Sequence, residues 1–355
     1  MSTDAPQRPA RVIALMNQKG GVGKTTTTVN LAAALADAGR SALVVDLDPQ
    51  AHATLHLGQE ARQTEASGTV YDLLLDPGAG AEPSTARGMG RDGGHTQGLS
   101  AAGCVRPVAA NLSAIVSETD LAAAETELAG QPGRHARLRR AIDSLRGAHE
   151  FVLIDCPPSL GLLTMNGLVA AQEVLIPMQA HFLALQGVGK LLETVQLVRQ
   201  QLNAQLRVAG IVLCMHDTQT SHSREVVADL EDFFEQQRGS DRPWASARVY
   251  HPPIRRNIKL AECPSFGQTI FQYAPWAPGA LDYRKLAETI IAEWDLVLEH
   301  LSAEHRARAR AAAPVAQPAK PPESRAALTE AEIRVLRAGL GSSSGQTGSA
   351  AGRIG

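Results

Sequence analysis

The chain has 355 residues, with 34 Lys and Arg against 36 Asp and Glu, and its formal net charge of −2 gives no global pull toward nucleic acid. Hydrophobic residues make up 44% of it, enough for a sizeable core, and the length suits about two domains or one large α/β domain with appendages. Cys104, Cys156, Cys214 and Cys263 are scattered without a CxxC pair, which argues against a zinc site, a disulfide framework or an iron–sulfur carrier and fits a reducing cytoplasm.

Residues 1–10 read as a short N-terminal arm with no apolar signal core, and no run of about 18 apolar residues follows. A cytoplasmic chain without a membrane span is expected. The first strand is predicted at Val12–Met16, followed by a glycine-rich turn, Lys19 to Thr26, and a helical pattern from Thr28 to Ala38. Further strand-length apolar runs stand at Ala42–Val45, Phe151–Ile154, Val174–Pro177 and Val208–Met215, alternating with helical patterns. That alternation predicts an α/β fold with a doubly wound, mostly parallel sheet, whose ligands lie outside the carboxyl ends of the strands. One domain over 11–300 is expected, interrupted by a Gly/Ala/Ser/Pro-rich mobile insert at 77–107 and a polar insert at 236–247. Residues 301–355 are Ala/Arg/Pro-rich and then Gly/Ser-rich, a composition that predicts disorder. Thr329-Glu330-Ala331-Glu332 reads as a capping box, so a short amphipathic helix at 329–340 is expected within this tail. Its two arginines and lack of aromatics argue against a membrane anchor.

Strand, glycine turn and helix in that order place backbone N–H groups and a helix N-terminus around a phosphate chain. The nucleotide-binding residues are therefore expected to be Lys19, Gly20, Gly21, Val22, Gly23, Lys24, Thr25 and Thr26. Lys24 stands where a phosphate loop carries the lysine for the β/γ-phosphates, and the Thr25 hydroxyl is placed to ligate Mg²⁺. Asp46 and Asp48 follow a buried strand that Pro49 stops, and Asp155 ends another, the Walker B pattern of four apolar residues and an aspartate. Hydrolysis needs a carboxylate to orient water and others to hold the hydrated metal. His52 and His56 stand at i, i+4 without a third ligand at suitable spacing, so a polar helix face is expected rather than a metal pair.

Lys19 is an extra lysine after Gln18, which stands where GxxxxGK[ST] has its first glycine. This departure resembles the deviant Walker A motif of the ParA/MinD family of ATPases. Val45-Asp46-Leu47-Asp48-Pro49-Gln50 is similar to that family's first switch, and Asp155-Cys156-Pro157-Pro158 to its second. Leu185-Gln186-Gly187, Ser223-Arg224-Glu225 and Glu262-Cys263-Pro264-Ser265-Phe266-Gly267 look like its chromosomal, Soj-type branch, and the likeness covers residues 11 to about 298 apart from the inserts. The resemblance implies an ATPase that is slow without its partner, with ATP and Mg²⁺ as cofactors. It implies catalytic roles for Lys19, reaching the nucleotide of a second subunit, for Lys24, and for Asp48, positioning water. Thr25, Asp46 and Asp155 would then serve the metal. It further implies an ATP-dependent homodimer that binds DNA non-specifically and associates with the nucleoid. A ParB-like or other cargo adaptor, often presenting a short basic segment, would stimulate hydrolysis to partition or position a chromosome, plasmid or other cargo.

Between Arg242 and Lys259 lie five basic residues and no acidic one. Arg248, Arg255, Arg256 and Lys259 from this stretch, with Arg224, are the expected DNA contacts, since such a patch gives salt-dependent, sequence-blind affinity. The family's Ile-Pro-Arg-Asn is Ile254-Arg255-Arg256-Asn257 here, and no arginine stands in Asp217-Thr218-Gln219-Thr220. A membrane-cycling MinD-like ATPase is the alternative, and it requires a basic, bulky amphipathic helix in the tail.

Overall fold

The computed structural model describes residues 9–60, 68–76, 87–89, 95–97, 100–216 and 221–312. Ten strands occur among them: β1 Arg11–Leu15, β2 Ala42–Asp46, β3 Arg87–Met89, β4 His95–Gln97, β5 Arg106–Ala109, β6 Leu112–Ile115, β7 Phe151–Asp155, β8 Glu173–Met178, β9 Arg207–Leu213 and β10 Arg248–Tyr250. Eight form one sheet in the order β10-β9-β8-β1-β7-β2-β6-β5, parallel except for the edge pair β5–β6, while β3 and β4 pair by themselves. The helices are α1 Lys24–Asp37, α2 His52–His56, α3 Val70–Leu75, α4 Leu121–Glu127, α5 Arg137–Asp143, α6 Leu162–Ala170, α7 Phe182–Gln201, α8 Ser221–Gln236, α9 Ile258–Glu262, α10 Ile270–Tyr273 and α11 Pro278–Ala312.

Side chains alternate across each strand, so the central strands feed two cores. In β1, Val12 and Ala14 face the core that also holds Leu73, Leu138, Leu168, Leu191 and Phe234. Ile13 and Leu15 face the other, with Leu31 and Leu35 of α1 and Tyr283, Leu286 and Ile290 of α11. Both faces are covered, which is why β1, β2, β7 and β8 read as unbroken apolar runs.

The expected loop at 77–107 ends earlier than its composition suggests. Ala101–Cys104 form a 3-10 turn whose Ala101 and Cys104 are buried, and β5 begins at Arg106. The polar stretch 236–247 is a chain of turns anchored by buried Trp244 and Ala247, with Pro243 O accepting from Val208 N at 2.7 Å. The chain divides into units 1–301 and 302–355. The expected helix at 329–340 lies outside the described residues, and among those residues no helix is long and apolar enough to cross a membrane.

Candidate nucleotide-binding site

The loop after β1 is pinned from both sides. Asn17 Nδ2 donates to Pro177 O at 2.8 Å, near the carboxyl end of the neighbouring strand β8, and Asn17 Oδ1 accepts from Lys19 N at 3.0 Å. Gly21 and Gly23 have φ of 71° and 94°, the left-handed region that glycine enters without strain. Gly23 is the N-cap of α1, and a Cβ there would lie 3.2 Å from the Cys214 side chain. Conformation and crowding thus both call for glycine. Lys24 opens α1 and is only 9% exposed, whereas Lys19 is exposed, with its Nζ 2.8 Å from His181 Nε2. An ammonium only donates, so this contact uses an unprotonated Nε2.

The carboxylates meet because of strand register. β7 lies between β1 and β2, which sets Asp155 beside Leu15 on one side and Asp46 on the other. Asp155 is fully buried and accepts from Thr25 Oγ1 at 2.7 Å and Thr28 Oγ1 at 2.9 Å. Burial pushes its pKa up, and the Lys24 charge and the two hydroxyls pull it back. Asp46 is pushed up to about 7, first by burial and then by the Asp155 charge, although it accepts from Thr54 N at 2.8 Å and Thr54 Oγ1 at 2.7 Å. Two carboxylates on adjacent strand ends cannot both hold full charge cheaply away from water. Asp48 lies two residues on, 6% exposed, its Oδ1 accepting from Gln50 N at 3.0 Å and its carbonyl from Ser117 Oγ at 2.7 Å.

Among the described residues no three His, Cys, Asp or Glu side chains gather as a complete metal cage. What is present is a threonine hydroxyl in contact with a buried carboxylate, with a second carboxylate beside it. Mg²⁺ keeps several waters and takes one or two protein oxygens together with substrate phosphates, so this donor set fits it.

The family described as an AAA domain is matched over residues 10–208. The chromosome partitioning protein ParA of Myxococcus xanthus is 38% identical over 282 residues, covering 79% of this chain and 88% of that protein. The chromosome-partitioning ATPase Soj of Thermus thermophilus is 42% identical over 282 residues, covering 79% and 96%. The chain belongs to the ParA/MinD family. Among solved structures, cobyrinic acid a,c-diamide synthase from Mycobacterium smegmatis with bound ADP and magnesium is 35% identical, with a TM-score of 0.59 over 81% of this chain and 96% of that one. The Cyanothece McdA(D38A)–ATP complex, at 20% identity and a TM-score of 0.62 over 80% and 96%, shares the fold.

Against this family background the basic stretch divides. Arg255, Arg256 and Lys259 stand at the carboxyl edge of the sheet, where His216 bridges to Arg255. Arg248 begins β10 and so lies at the opposite edge, paired with Glu293 and stacked 5.2 Å from the centre of the Tyr250 ring. Arg255 is tied to buried Asp282 at 2.7 Å, and Lys259 to Glu262 at 2.7 Å. Arg256 is exposed, as is Arg224 in the first turn of α8. The stretch holds no acid of its own, and the fold supplies three from beyond it, Glu293, Asp282 and Glu262.

His56 departs from the expected polar helix face. It is 1% exposed, lies 3.5 Å from Cys263 Sγ, and burial pushes its pKa down to about 4, while His52 is exposed. Asn17, Thr28, Thr54, Ser117 and His181 were not singled out from sequence. Thr28 had a signal in the run Thr25-Thr26-Thr27-Thr28. The others are joined to the site only by the fold.

Proposed function

We propose that this chain is an ATP-hydrolysing switch that dimerises on ATP, binds DNA without sequence preference, and turns over when an adaptor engages it. The observation that carries this reading is the separation of the two lysines. Lys24 is sunk at the head of α1 beside the Asp155 cluster, where it suits a phosphate held by its own chain. Lys19 is exposed and turned aside to His181, where it suits a nucleotide shared with a second copy.

In this reading the loop amides and Lys24 hold the β- and γ-phosphates, while Thr25, Asp155 and Asp46 hold Mg²⁺ directly or through water. The ion would neutralise charge developing on the transferred phosphoryl group. Asp48 orients the attacking water from its backbone-braced position. Lys19 leaves His181 to stabilise the phosphates across the dimer. Slow basal hydrolysis, a ParB-like or other cargo adaptor, cytoplasmic location and nucleoid association complete the proposal, with a chromosome, plasmid or other cargo as its object.

Fluorescence anisotropy with random-sequence duplex DNA, at fixed moderate salt, tests it with ATP, ADP and no nucleotide. Tight binding with ATP alone is expected. Equal binding in all three conditions, or none in any, overturns the switch.

A further inference from the structure

Beside the start of α6 an open groove of about 330 Å³ has Leu160, Leu162 and Met165 along it and Arg134, His135 and Glu125 at its rim. Leu160 is 43% exposed there. The turn and helix behind the rim are strongly basic: residues 134–146 hold five arginines and His135 against Asp143 alone. Asp143 is already taken by Arg146 at 2.8 Å and Arg139 at 3.8 Å. Arg134 has no ion pair among the described residues. Arg137 is 6% exposed, and its Nε and Nη1 have no partner, only Nη2 donating to Gln131 Oε1 at 2.8 Å. Burial and the neighbouring Arg140 push its pKa down, with Asp76 opposing. A buried guanidinium without a carboxylate partner leaves a local excess of positive field.

Glu125 connects the groove to the nucleotide site. The N-cap of α6 is Gly161, which offers no side-chain cap. Glu125 Oε1 takes that place, accepting from Leu163 N at 3.2 Å, and a Cβ on Gly161 would lie only 2.1 Å from the same oxygen. A carboxylate from another helix thus caps the helix that follows Asp155-Cys156-Pro157-Pro158. Such caps are exchangeable, because any carboxylate of suitable reach satisfies the same amides and helix dipole.

We propose that this groove docks a segment of a partner protein carrying a carboxylate beside bulky apolar side chains, and that the incoming carboxylate competes with Glu125 for the N-terminus of α6. The apolar groove accepts the bulky residues, and Arg134 with the basic turn draws in the acid. Duplex DNA does not suit a groove lined by Leu160, Leu162 and Met165 with the Glu125 carboxylate among them. A basic segment meets Arg134 and Arg140, so this contact differs from one made by a basic adaptor segment. Docking needs no nucleotide. Only its consequence, a shift of the second switch, rests on the ATPase reading above.

The test is selection of a phage-displayed random 12-residue peptide library on the full chain without nucleotide, with recovered peptides synthesised and measured by anisotropy. Sequences joining Asp or Glu to Leu, Ile, Phe or Met are expected. Their affinity falls at least tenfold in Arg134→Glu and in the groove-filling Ala129→Trp, and rises several-fold in Glu125→Gln, where the competing charge is gone. Thermal melting accompanies each variant, and Ala129→Trp keeps the test valid should Arg134→Glu fold poorly. Basic peptides, no enrichment, or acidic peptides indifferent to both groove variants overturn the proposal. So does a change in self-association by sedimentation in Arg134→Glu without a change in peptide binding, which would assign the groove to a second copy. None of these outcomes depends on DNA binding, so failure here and failure of the nucleotide switch are separable.

Discussion

Lys19 and Lys24 are five residues apart and chemically alike, yet burial gives them different work. Lys24 balances a cluster of carboxylates, whereas Lys19 has no such partner and faces outward. Lys19→Ala should therefore leave nucleotide binding by the monomer close to wild type and remove the ATP-dependent dimer, read by equilibrium binding and sedimentation. Asp48→Ala should leave ATP bound and lower phosphate release by ~10²-fold or more, the usual loss when a proton-handling or water-orienting group is removed. Unchanged release would remove Asp48 from the mechanism. Both lysines and all three aspartates were legible from local pattern. His181, Thr54 and Ser117 were not, because the fold alone brings residues 162 apart, such as Lys19 and His181, into contact.

At the scale of elements, α2 braces the aspartate that ends β2. Its Thr54 binds Asp46, and its other side is fastened by His56 to Cys263 and by close packing of Gly58 on Gly267. His56 has an ordinary pKa of 6.5 and is held near 4 when folded. The unfolded chain takes up this proton first as pH falls, so the contribution of His56 is complete above about 6.5 and is lost as pH drops through about 4. That loss is on the order of 3 kcal/mol at most. A melting-temperature profile from pH 7 to 4 should thus be shallower in His56→Gln than in wild type, and identical slopes would refute the assignment. Strands were legible where both faces are buried, as in Phe151–Ile154. β5, β6 and β10 escaped because they are three or four residues long and lie at or near the sheet edges, where apolar residues no longer run unbroken. Edge strands show little beyond their neighbours' needs.

For the whole molecule, the basic stretch is a lesson in distance along the chain against distance in space. Arg256 stands exposed at the edge of the sheet that holds the nucleotide loop, while Arg248 belongs to an ion network at the far edge with Arg11, Glu173, Arg207 and Glu293. Arg256→Ala should weaken ATP-state DNA binding and reduce the slope of log affinity against log salt by about 1. Arg248→Ala should leave that slope unchanged. A salt titration followed by anisotropy distinguishes them, and equal effects would place the DNA on a different surface.

That far-edge network also bears on how the chain is made. Arg11, at the start of the central strand, donates to Ile290 O at 2.7 Å across 279 residues of sequence and to Glu293 at 2.9 Å, and β1 itself pairs only with β7 and β8. Strand β1 is therefore made well before the β7, β8 and α11 segments that complete it. Its apolar side chains stay loosely collapsed until β7, β8 and α11 have emerged.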